Sequence, residues 1–273
     1  MPTDFLTKIV AHKQKEVIKA KKQVALETMI TRAENRTGIR PFADALKDNN
    51  KSGLEKIKII TEIKRASPSK GLFRADLDPA QYAAAYEKGG SAALSVLTDE
   101  TFFKGSLDDL QKARAACALP VLRKDFIIDE YQIYEAAAAG ADAVLLIVRI
   151  LSTKQLQRYL ALTRKLGLDA LVEVFGRDEL AAATVTGAEL IGINNRNLKT
   201  FVTDIGHAMQ MATRLESHQT AVALSGIQIR ADIEANLKAG IFNFLIGESL
   251  IRAADPVLLL KSLTGAKTSQ KRF

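Results

Sequence analysis

The stretch KIKIITEIKRASPSKG (residues 56–71) passes from an apolar run to charged and loop-forming residues within a few positions. Because strand side chains alternate between faces, Ile60, Glu62 and Lys64 share one face of the β-strand that this stretch predicts. A carboxylate and an ammonium group therefore end a row that is otherwise apolar. The pattern indicates a strand with a buried body and a charged end.

Beyond this stretch, short runs rich in β-branched residues alternate with alanine-rich helical segments. The predicted strands are KIKIITEI, AALSVL, LPVLRK, DAVLLIV, DALVEV, ELIGIN, TAVALS and FNFLIG. The helices predicted to follow them are PAQYAAAYEKG, SLDDLQKARAAC, DEYQIYEAAAAG, STKQLQRYLALTRKLG, RDELAAATVTG, DIGHAMQMATRL, IRADIEANLKAG and DPVLLLKSL. This alternation is typical of a parallel sheet, whose strands are apolar throughout because helices cover both faces. An open doubly wound sheet and a closed barrel would both satisfy it.

The number of repeats favours the barrel. Eight strand–helix units over roughly 210 residues match the (β/α)₈ plan, in which a single domain of about 250 residues is common. We therefore predict a single (β/α)₈ (TIM) barrel at residues 49–265, preceded by a helical extension at 1–48 that packs on it. The extension has a candidate N-cap at Thr3 and a turn at 35–41. A flexible basic tail is expected at 266–273.

Composition narrows the possible chemistry. The chain has no apolar run near the roughly 20 residues of a membrane span and no apolar signal-peptide core, so we expect a cytoplasmic protein without a membrane partner. Cys117 is the single cysteine, and none of the three histidines neighbours the charged strand ends. A disulfide, a thiolate metal cluster and a histidine-based triad are therefore not expected. Lysine and carboxylate side chains are therefore the candidates for acid–base catalysis.

The formal charge of +8 is concentrated near the two ends of the chain, at residues 12–23 and 265–273. A solvated helix face and a frayed tail explain these lysines better than a nucleic-acid surface, because aromatic residues are not interleaved with them. We therefore expect no nucleic-acid partner. A small phosphorylated substrate would need only a few positive groups inside a pocket.

Other predicted strands repeat the pattern of the first. Four strands end in polar or charged residues that follow apolar or small residues on the same face. The residues concerned are Glu62, Lys64, Lys124, Glu173, Asn194 and Arg196. Because a barrel carries its reactive groups at the carboxyl ends of the strands, we expect these side chains to meet at one mouth.

Serines, glycines and one glutamate lie near the ends of the last two predicted strands. They are Ser225, Gly226, Gly247, Glu248 and Ser249, of which the last three open a short helical stretch. Barrels often bind phosphate at this place, because backbone N–H groups and a helix N-terminus favour an anion. Ser67, in the loop after the first strand, would add a hydroxyl donor.

The segments that carry these residues resemble the indole-3-glycerol-phosphate synthase family. In chain order they read EIKRASPSKG, SVLTDETFFKGS, LRKDFIIDEYQI, GADAVLLIV, GINNRNLKTF and FLIGESL. The resemblance runs from Phe5 to about Leu263. It implies a carbon–carbon lyase of tryptophan biosynthesis. Such an enzyme converts 1-(2-carboxyphenylamino)-1-deoxyribulose 5-phosphate to indole-3-glycerol phosphate by ring closure, decarboxylation and dehydration, without cofactor or metal.

The resemblance and the chemistry of this reaction suggest the catalytic roles. Lys124 is our choice for the general acid that protonates the alkoxide formed when the aromatic ring attacks the ketone. Glu173 would act as a general acid or base, with Glu62 and Lys64 as a second pair for dehydration. The reverse division remains open, because residue spacing does not decide it. Asn194 is expected to orient the substrate.

Other residues are expected to bind the substrate. Arg196 would pair with its aromatic carboxylate through two parallel hydrogen bonds. Phe103, Phe126 and Leu145 would contact the aromatic ring, although ordinary barrel packing is an alternative for them. Ser67 and the small residues after the last two strands would hold the phosphate.

Two positions depart from the pattern common in the family. Leu224 stands where glutamate is usual, and Asn197 stands where aspartate is common. The first change would remove a hydrogen bond to a catalytic lysine, and the second a negative charge near Arg196. Glu248 is expected to point outward from the helix start, so that only its backbone faces the phosphate.

Two other functions remain open at this stage. One keeps the phosphate site but isomerises a related phosphosugar. The other uses the basic N-terminal helix to bind nucleic acid, with the barrel as a scaffold. For the lyase we expect a monomer, with a possible association with other enzymes of the tryptophan pathway.

Overall fold

Eight parallel strands close into a barrel in the computed structural model of the protein, which describes residues 5–47, 57–197 and 200–265. The strands are β1 (Lys58–Ile63), β2 (Ala93–Leu97), β3 (Val121–Lys124), β4 (Ala143–Ile147), β5 (Asp169–Val174), β6 (Leu190–Asn194), β7 (Thr220–Leu224) and β8 (Asn243–Ile246). Each strand pairs with its neighbours in chain order, and β1 also pairs with β8. The predicted barrel is therefore confirmed, and the open sheet is excluded.

Helices precede the barrel and follow its strands. Those before β1 are α1 (Phe5–Gln23), α2 (Leu26–Glu34) and α3 (Phe42–Leu46). Those that follow are α4 (Pro79–Gly89), α5 (Glu100–Phe103), α6 (Leu107–Ala115), α7 (Glu130–Ala138), α8 (Thr153–Lys165), α9 (Arg177–Val185), α10 (Gly206–Ala212), α11 (Arg230–Leu237), α12 (Glu248–Arg252) and α13 (Pro256–Thr264). None of the described helices is both long and apolar enough to cross a bilayer.

Local sequence explains where several helices begin. The carboxylates of Asp78 and Asp255 accept backbone N–H groups at the starts of α4 and α13, and a proline at the first position of each helix has a suitable φ angle. Ser152 caps α8 in the same way and exchanges hydrogen bonds with Gln155. These caps explain why the predicted starts of these helices agree closely with the structure.

Two short elements were not predicted. Helix α5 is a single turn, whose start is capped by Asp99. A small antiparallel hairpin joins residues 66–67 to 71–72 in the loop after β1. Both are too short to show the repeated apolar pattern by which helices and strands are recognised in a sequence.

The strands separate two apolar layers. Ile60, Leu122 and Leu171 fill the inside of the barrel, while Ile59 and Ile63 pack between the sheet and the helices. The alternation predicted for β1 is thereby confirmed, and its interior row leads to Glu62 and on to the mouth.

Helix α3 covers the amino end of the barrel. Phe42 and Leu46 are buried against the interior side chains of the strands. The backbone N–H of Ala43 donates to Asp169 Oδ2 at 2.8 Å, which fixes the start of α3 on β5. The carboxyl ends of the strands therefore form the end of the barrel that is open to a ligand.

Helices α1 and α2 lie along the barrel. Helix α2 packs against α7, and Leu6 and Ile9 of α1 reach the carboxyl-end mouth. The predicted boundary between extension and barrel, between residues 48 and 49, lies outside the described residues, as do Thr3 and the tail at 266–273. The predicted domain limits therefore stay predictions.

Candidate active site

A cavity of about 670 Å³ opens at the carboxyl ends of the strands. Every residue that the sequence analysis assigned to catalysis, ring binding or phosphate binding lines it. These are Glu62, Lys64, Ser67, Phe103, Lys124, Phe126, Leu145, Glu173, Asn194, Arg196, Ser225, Gly226, Gly247, Glu248 and Ser249. The structure thus brings the predicted residues together, whereas their individual roles stay predictions.

Glu62 and Lys64 form a close ion pair at the end of β1. Lys64 Nζ lies 2.6 Å from Glu62 Oε1, and both side chains are largely buried. A Cβ atom at Gly247 would lie only 2.6 Å from the same oxygen, so the approach of Glu62 depends on glycine there. Burial raises the pKa of Glu62, but the positive charges of Lys64, Lys124 and Arg196 outweigh burial and lower the pKa below its ordinary value. Glu62 is therefore a carboxylate at neutral pH.

Lys124 faces a second carboxylate across the barrel mouth. Its Nζ lies 3.7 Å from Glu173 Oε2, which has no hydrogen-bond partner among the described residues. Asn194 Nδ2 donates to the other oxygen of Glu173 at 2.9 Å, while Asn194 Oδ1 accepts the backbone N–H of Arg196 at 2.9 Å. These two bonds set the orientation of the Asn194 amide. One oxygen of Glu173 is thus held and the other is directed toward Lys124.

One wall of the cavity is apolar. The rings of Phe103 and Phe126 contact each other with their centroids 6.0 Å apart. Leu145 and Leu224 belong to the barrel interior and are almost completely buried. Leu224 extends toward Gly192, where a Cβ atom would lie 2.8 Å from its Cδ1. These side chains give the cavity an apolar surface beside its charged groups.

The opposite rim has a tight turn after β7. Ser225 and Gly226 both have positive φ angles, of 66° and 84°. A Cβ atom at Gly226 would lie 2.7 Å from Thr203 Cγ2, so glycine is needed there on two counts. Ser67 also lines the cavity, and its hydroxyl is buried with no hydrogen-bond partner among the described residues. An oxygen-rich ligand would supply the partner that this hydroxyl lacks.

Glu248 does not point outward as the sequence suggested. Its Oε2 atom lies 3.9 Å from Arg196 Nη2, and its Oε1 atom lies 3.3 Å from Arg252 Nε. The two guanidinium groups attract the carboxylate to the rim of the cavity. The expected outward direction is therefore wrong, and Arg196 already has an anionic neighbour.

The individual residues of α1 that line the cavity were not identified from the sequence. Phe5, Leu6 and Ile9 line the mouth, and the Phe5 ring makes edge contacts with Phe102 and Phe201 at centroid distances of 5.6 and 5.8 Å. The apolar stripe of α1 was visible in the sequence, but periodicity alone does not identify the surface that a stripe covers.

Asn197 shapes the loop after β6. Its backbone N–H donates to the carbonyl of Val202 at 2.9 Å, and its side-chain oxygen accepts the N–H of Thr200 at 3.4 Å. An asparagine side chain commonly makes such a turn contact.

Among the described residues, no group of three or more histidine, cysteine, aspartate or glutamate side chains could hold a metal ion.

Comparisons with known proteins show which family the chain resembles. Residues 6–263 match a family model described as indole-3-glycerol phosphate synthase. The chain is 55% identical to the enzyme of that name from Desulfosudis oleivorans, over 95% of this chain and 98% of the relative. It is 49% identical to that from Syntrophobacter fumaroxidans, over 97% and 98% of the two chains.

Solved structures of other enzymes share the barrel. A 3-hexulose-6-phosphate synthase superimposes with a TM-score of 0.61 at 17% identity, over 78% of this chain and 100% of that one. A thiamine phosphate pyrophosphorylase from Pyrococcus furiosus gives a TM-score of 0.59 at 15% identity, over 78% and 96%. At such identities the likeness shows the fold alone.

Proposed function

The chain belongs to the indole-3-glycerol phosphate synthase family, and we propose that the cavity described above carries out the reaction of that family. The substrate would be 1-(2-carboxyphenylamino)-1-deoxyribulose 5-phosphate, and the products would be indole-3-glycerol phosphate, carbon dioxide and water. One observation carries the proposal: two lysine–carboxylate pairs, an asparagine and an arginine line a single cavity with an apolar wall.

Ring closure is assigned to Lys124. As the aromatic carbon attacks the sugar ketone, the ketone oxygen becomes an alkoxide, which the Lys124 ammonium protonates. Glu173 lies 3.7 Å from this ammonium, which is farther than a direct hydrogen bond. The separation supports the role, because the ammonium can turn toward a substrate oxygen while the carboxylate still stabilises its charge.

Decarboxylation follows ring closure. The bond between the ring carbon and its carboxylate breaks, carbon dioxide leaves, and the electron pair restores the aromatic ring. Arg196 would hold the carboxylate until this step. Its position beside Glu248 supports the assignment, since it already accommodates one carboxylate there.

Dehydration is assigned to the pair at the end of β1. Lys64 would protonate the departing hydroxyl, and a carboxylate would take the proton that the substrate loses when the double bond forms. Glu62 suits the second task, because its lowered pKa keeps it ionised at neutral pH. The close contact between Glu62 and Lys64 favours their acting together in this step, with Glu173 serving Lys124.

Binding of the rest of the substrate is divided between two walls. Phe103, Phe126 and Leu145 would contact the aromatic ring. The phosphate would lie at the opposite rim, where Ser67 offers a hydroxyl and the turn at Ser225 and Gly226 offers backbone N–H groups. Gly247, Glu248 and Ser249 would add donors from the start of α12. In each proposed step, these side chains contribute proton transfer or charge stabilisation.

The proposal also covers the organisation of the protein. We infer a helical extension at 1–48, a catalytic barrel at 49–265 and a basic tail at 266–273. The enzyme would be a cytoplasmic monomer able to associate with other enzymes of tryptophan synthesis. Sedimentation of the purified protein tests the monomer, and co-purification from cells tests the association.

The direct test is an assay with the carboxyphenylamino sugar phosphate. The indole product is fluorescent, and the chain contains no tryptophan to contribute an indole signal of its own. We expect the fluorescence to rise with time and carbon dioxide to be released in equal amount. If the protein instead isomerises the substrate without releasing carbon dioxide, the proposed function is wrong.

A further inference from the structure

One lysine of α1 is buried among carboxylates just behind the cavity. Lys13 is only 4% exposed. Its Nζ atom lies 2.9 Å from Asp99 Oδ2, 3.0 Å from Asp125 Oδ1 and 2.5 Å from Glu16 Oε2. Burying an ammonium group is costly unless the partners repay the loss of hydration. Lys13 therefore has a defined set of partners, yet it does not line the cavity.

Asp99 connects this lysine to the aromatic wall. Its Oδ1 atom accepts the backbone N–H groups of Phe102 and Phe103 at 2.7 and 3.2 Å, which fixes the start of α5. Its other oxygen faces Lys13. The position of the Phe103 ring thus depends on a carboxylate that Lys13 holds.

Asp125 connects the same lysine to the proposed general acid. It directly follows Lys124 in the chain, and its Oδ1 atom accepts the backbone N–H of Phe126 at 2.8 Å. The same Oδ1 atom also pairs with Lys13 Nζ. One ammonium group therefore joins α1 to the segments that carry Phe103, Lys124 and Phe126.

The connection depends on the positive charge of Lys13, because that charge balances the carboxylates of Asp99 and Asp125. Asp99 and Asp125 are both almost completely buried. Arg123 pairs with the other oxygen of Asp125 at 3.1 Å, but it also pairs with Glu135 at 2.8 Å. Without Lys13, two buried carboxylates that now share one cation would face each other, and the segments carrying them would move apart.

We propose that Lys13 is a positioning residue for ring closure, which holds the Lys124 ammonium and the aromatic wall in their relative places from the N-terminal helix. The inference rests on the proposed function for its kinetic consequence. The geometric consequence is independent of it: loss of the Lys13 charge loosens the two segments whether or not the cavity makes an indole.

The first test replaces Lys13 by methionine, which keeps an unbranched side chain but removes the charge. Because a displacement of about 1 Å at a reacting group can cost about 100-fold in rate, we expect kcat to fall roughly 10- to 100-fold and KM to change less. Lys15→Met is the matched control, since Lys15 lies on the exposed face of the same helix. It should remain within about twofold of wild type, as expected of a surface substitution.

A double variant separates positioning from simple loss of stability. Lys13→Met combined with Asp99→Asn removes one positive and one negative charge, and asparagine still caps a helix well. The double variant should recover part of the lost kcat. If Lys13→Met lowers only the midpoint of thermal unfolding and leaves kcat unchanged, or if a folded double variant shows no recovery, the proposal is overturned.

A second readout does not depend on turnover. Since the chain lacks tryptophan, Phe126→Trp places a single fluorescent reporter on the segment after Lys124. We expect acrylamide to quench this reporter more strongly in the Lys13→Met background than in the Lys15→Met background. Equal quenching in the two backgrounds contradicts the proposal. Greater quenching in the Lys13→Met background, combined with a wild-type protein that makes no indole product, would leave the positioning intact and reject only the proposed function.

Discussion

At the scale of single residues, the two lysine–carboxylate pairs of the cavity differ in the distance between the ammonium nitrogen and the nearest carboxylate oxygen. Lys64 is in hydrogen-bonding contact with Glu62 at 2.6 Å, whereas Lys124 and Glu173 are 3.7 Å apart. A close pair keeps its carboxylate ionised, while a looser pair lets the ammonium reach a substrate atom. The difference in geometry supports assigning different steps to the two lysines.

Replacing Lys124 tests the assignment of ring closure. We expect Lys124→Ala to lower turnover by at least roughly 100-fold, because one general acid commonly contributes about 10² to 10⁴ in rate. Turnover is followed by indole fluorescence, and circular dichroism checks that the barrel is folded. Lys154→Ala, on the exposed start of α8, is the control and should behave as wild type. Near-wild-type turnover of a folded Lys124→Ala protein would reject the assignment.

The pH dependence of stability tests the charge cluster behind the cavity. Burial raises the pKa of Asp125, but Arg123, Lys13 and a hydrogen bond from Thr98 together lower it to about 2. An unfolded aspartate titrates near 3.9. Asp125 therefore contributes stability that is fully present above pH ~4 and is lost as the pH falls toward 2.

Removing Lys13 should reduce this contribution. The pKa of Asp125 then moves back toward its unfolded value, so Lys13→Met should be less stable than Lys15→Met near neutral pH. The gap between the two variants should shrink as the pH falls from 5 to 2. Urea unfolding at a series of pH values measures the gap. A gap that is constant over this range would show that Asp125 is not coupled to Lys13.

At the scale of elements, short helices place charges that the periodic pattern does not reveal. Helix α12 turns Glu248 toward Arg196, and α5 depends on the Asp99 cap. The faces of β1 follow from alternation alone, so Glu62 and Lys64 could be predicted. The destinations of Phe5 and Lys13 on α1 could not, because they depend on contacts with residues about 90 or more positions away in the chain.

Replacing Glu248 tests the consequence of its inward direction. Glu248→Gln removes a negative charge that competes with an anionic substrate for Arg196, and it keeps the backbone at the start of α12. Partly exposed ion pairs are worth up to about 1 kcal/mol, so we expect KM to fall by up to about fivefold with little change in kcat.

The matched control is Glu234→Gln on α11. Glu234 pairs with Arg230 at 2.9 Å but does not line the cavity. Its replacement should leave KM unchanged. A rise in KM for Glu248→Gln would instead mean that the carboxylate helps to hold the substrate.

At the scale of the whole molecule, the apolar cover formed by α3 and the proposed site lie at opposite ends of the barrel. Helix α3 covers the amino end with Phe42 and Leu46, and the proposed site occupies the carboxyl end. This division is general among such barrels. The repeat of strands and helices was enough to predict the end that carries the site, because closure of a parallel sheet puts all carboxyl ends on one side.

Replacing Phe42 tests this division. Phe42 is fully buried, so we expect Phe42→Ala to lower the free energy of unfolding by about 3–5 kcal/mol. Turnover of the folded fraction should stay near wild type, since the site lies at the other end. Denaturant unfolding and the indole assay on the same samples measure both quantities. A large loss of turnover without loss of stability would contradict the division.

The most direct measurement follows indole-3-glycerol phosphate formation by the purified protein and by its Glu173→Gln variant, with the same substrate and protein concentrations. We expect steady turnover by the wild type and a loss of at least roughly 100-fold in the variant, as for other acid–base groups. Failure of the folded wild type to form the product, or equal turnover by the two proteins, would contradict this expectation.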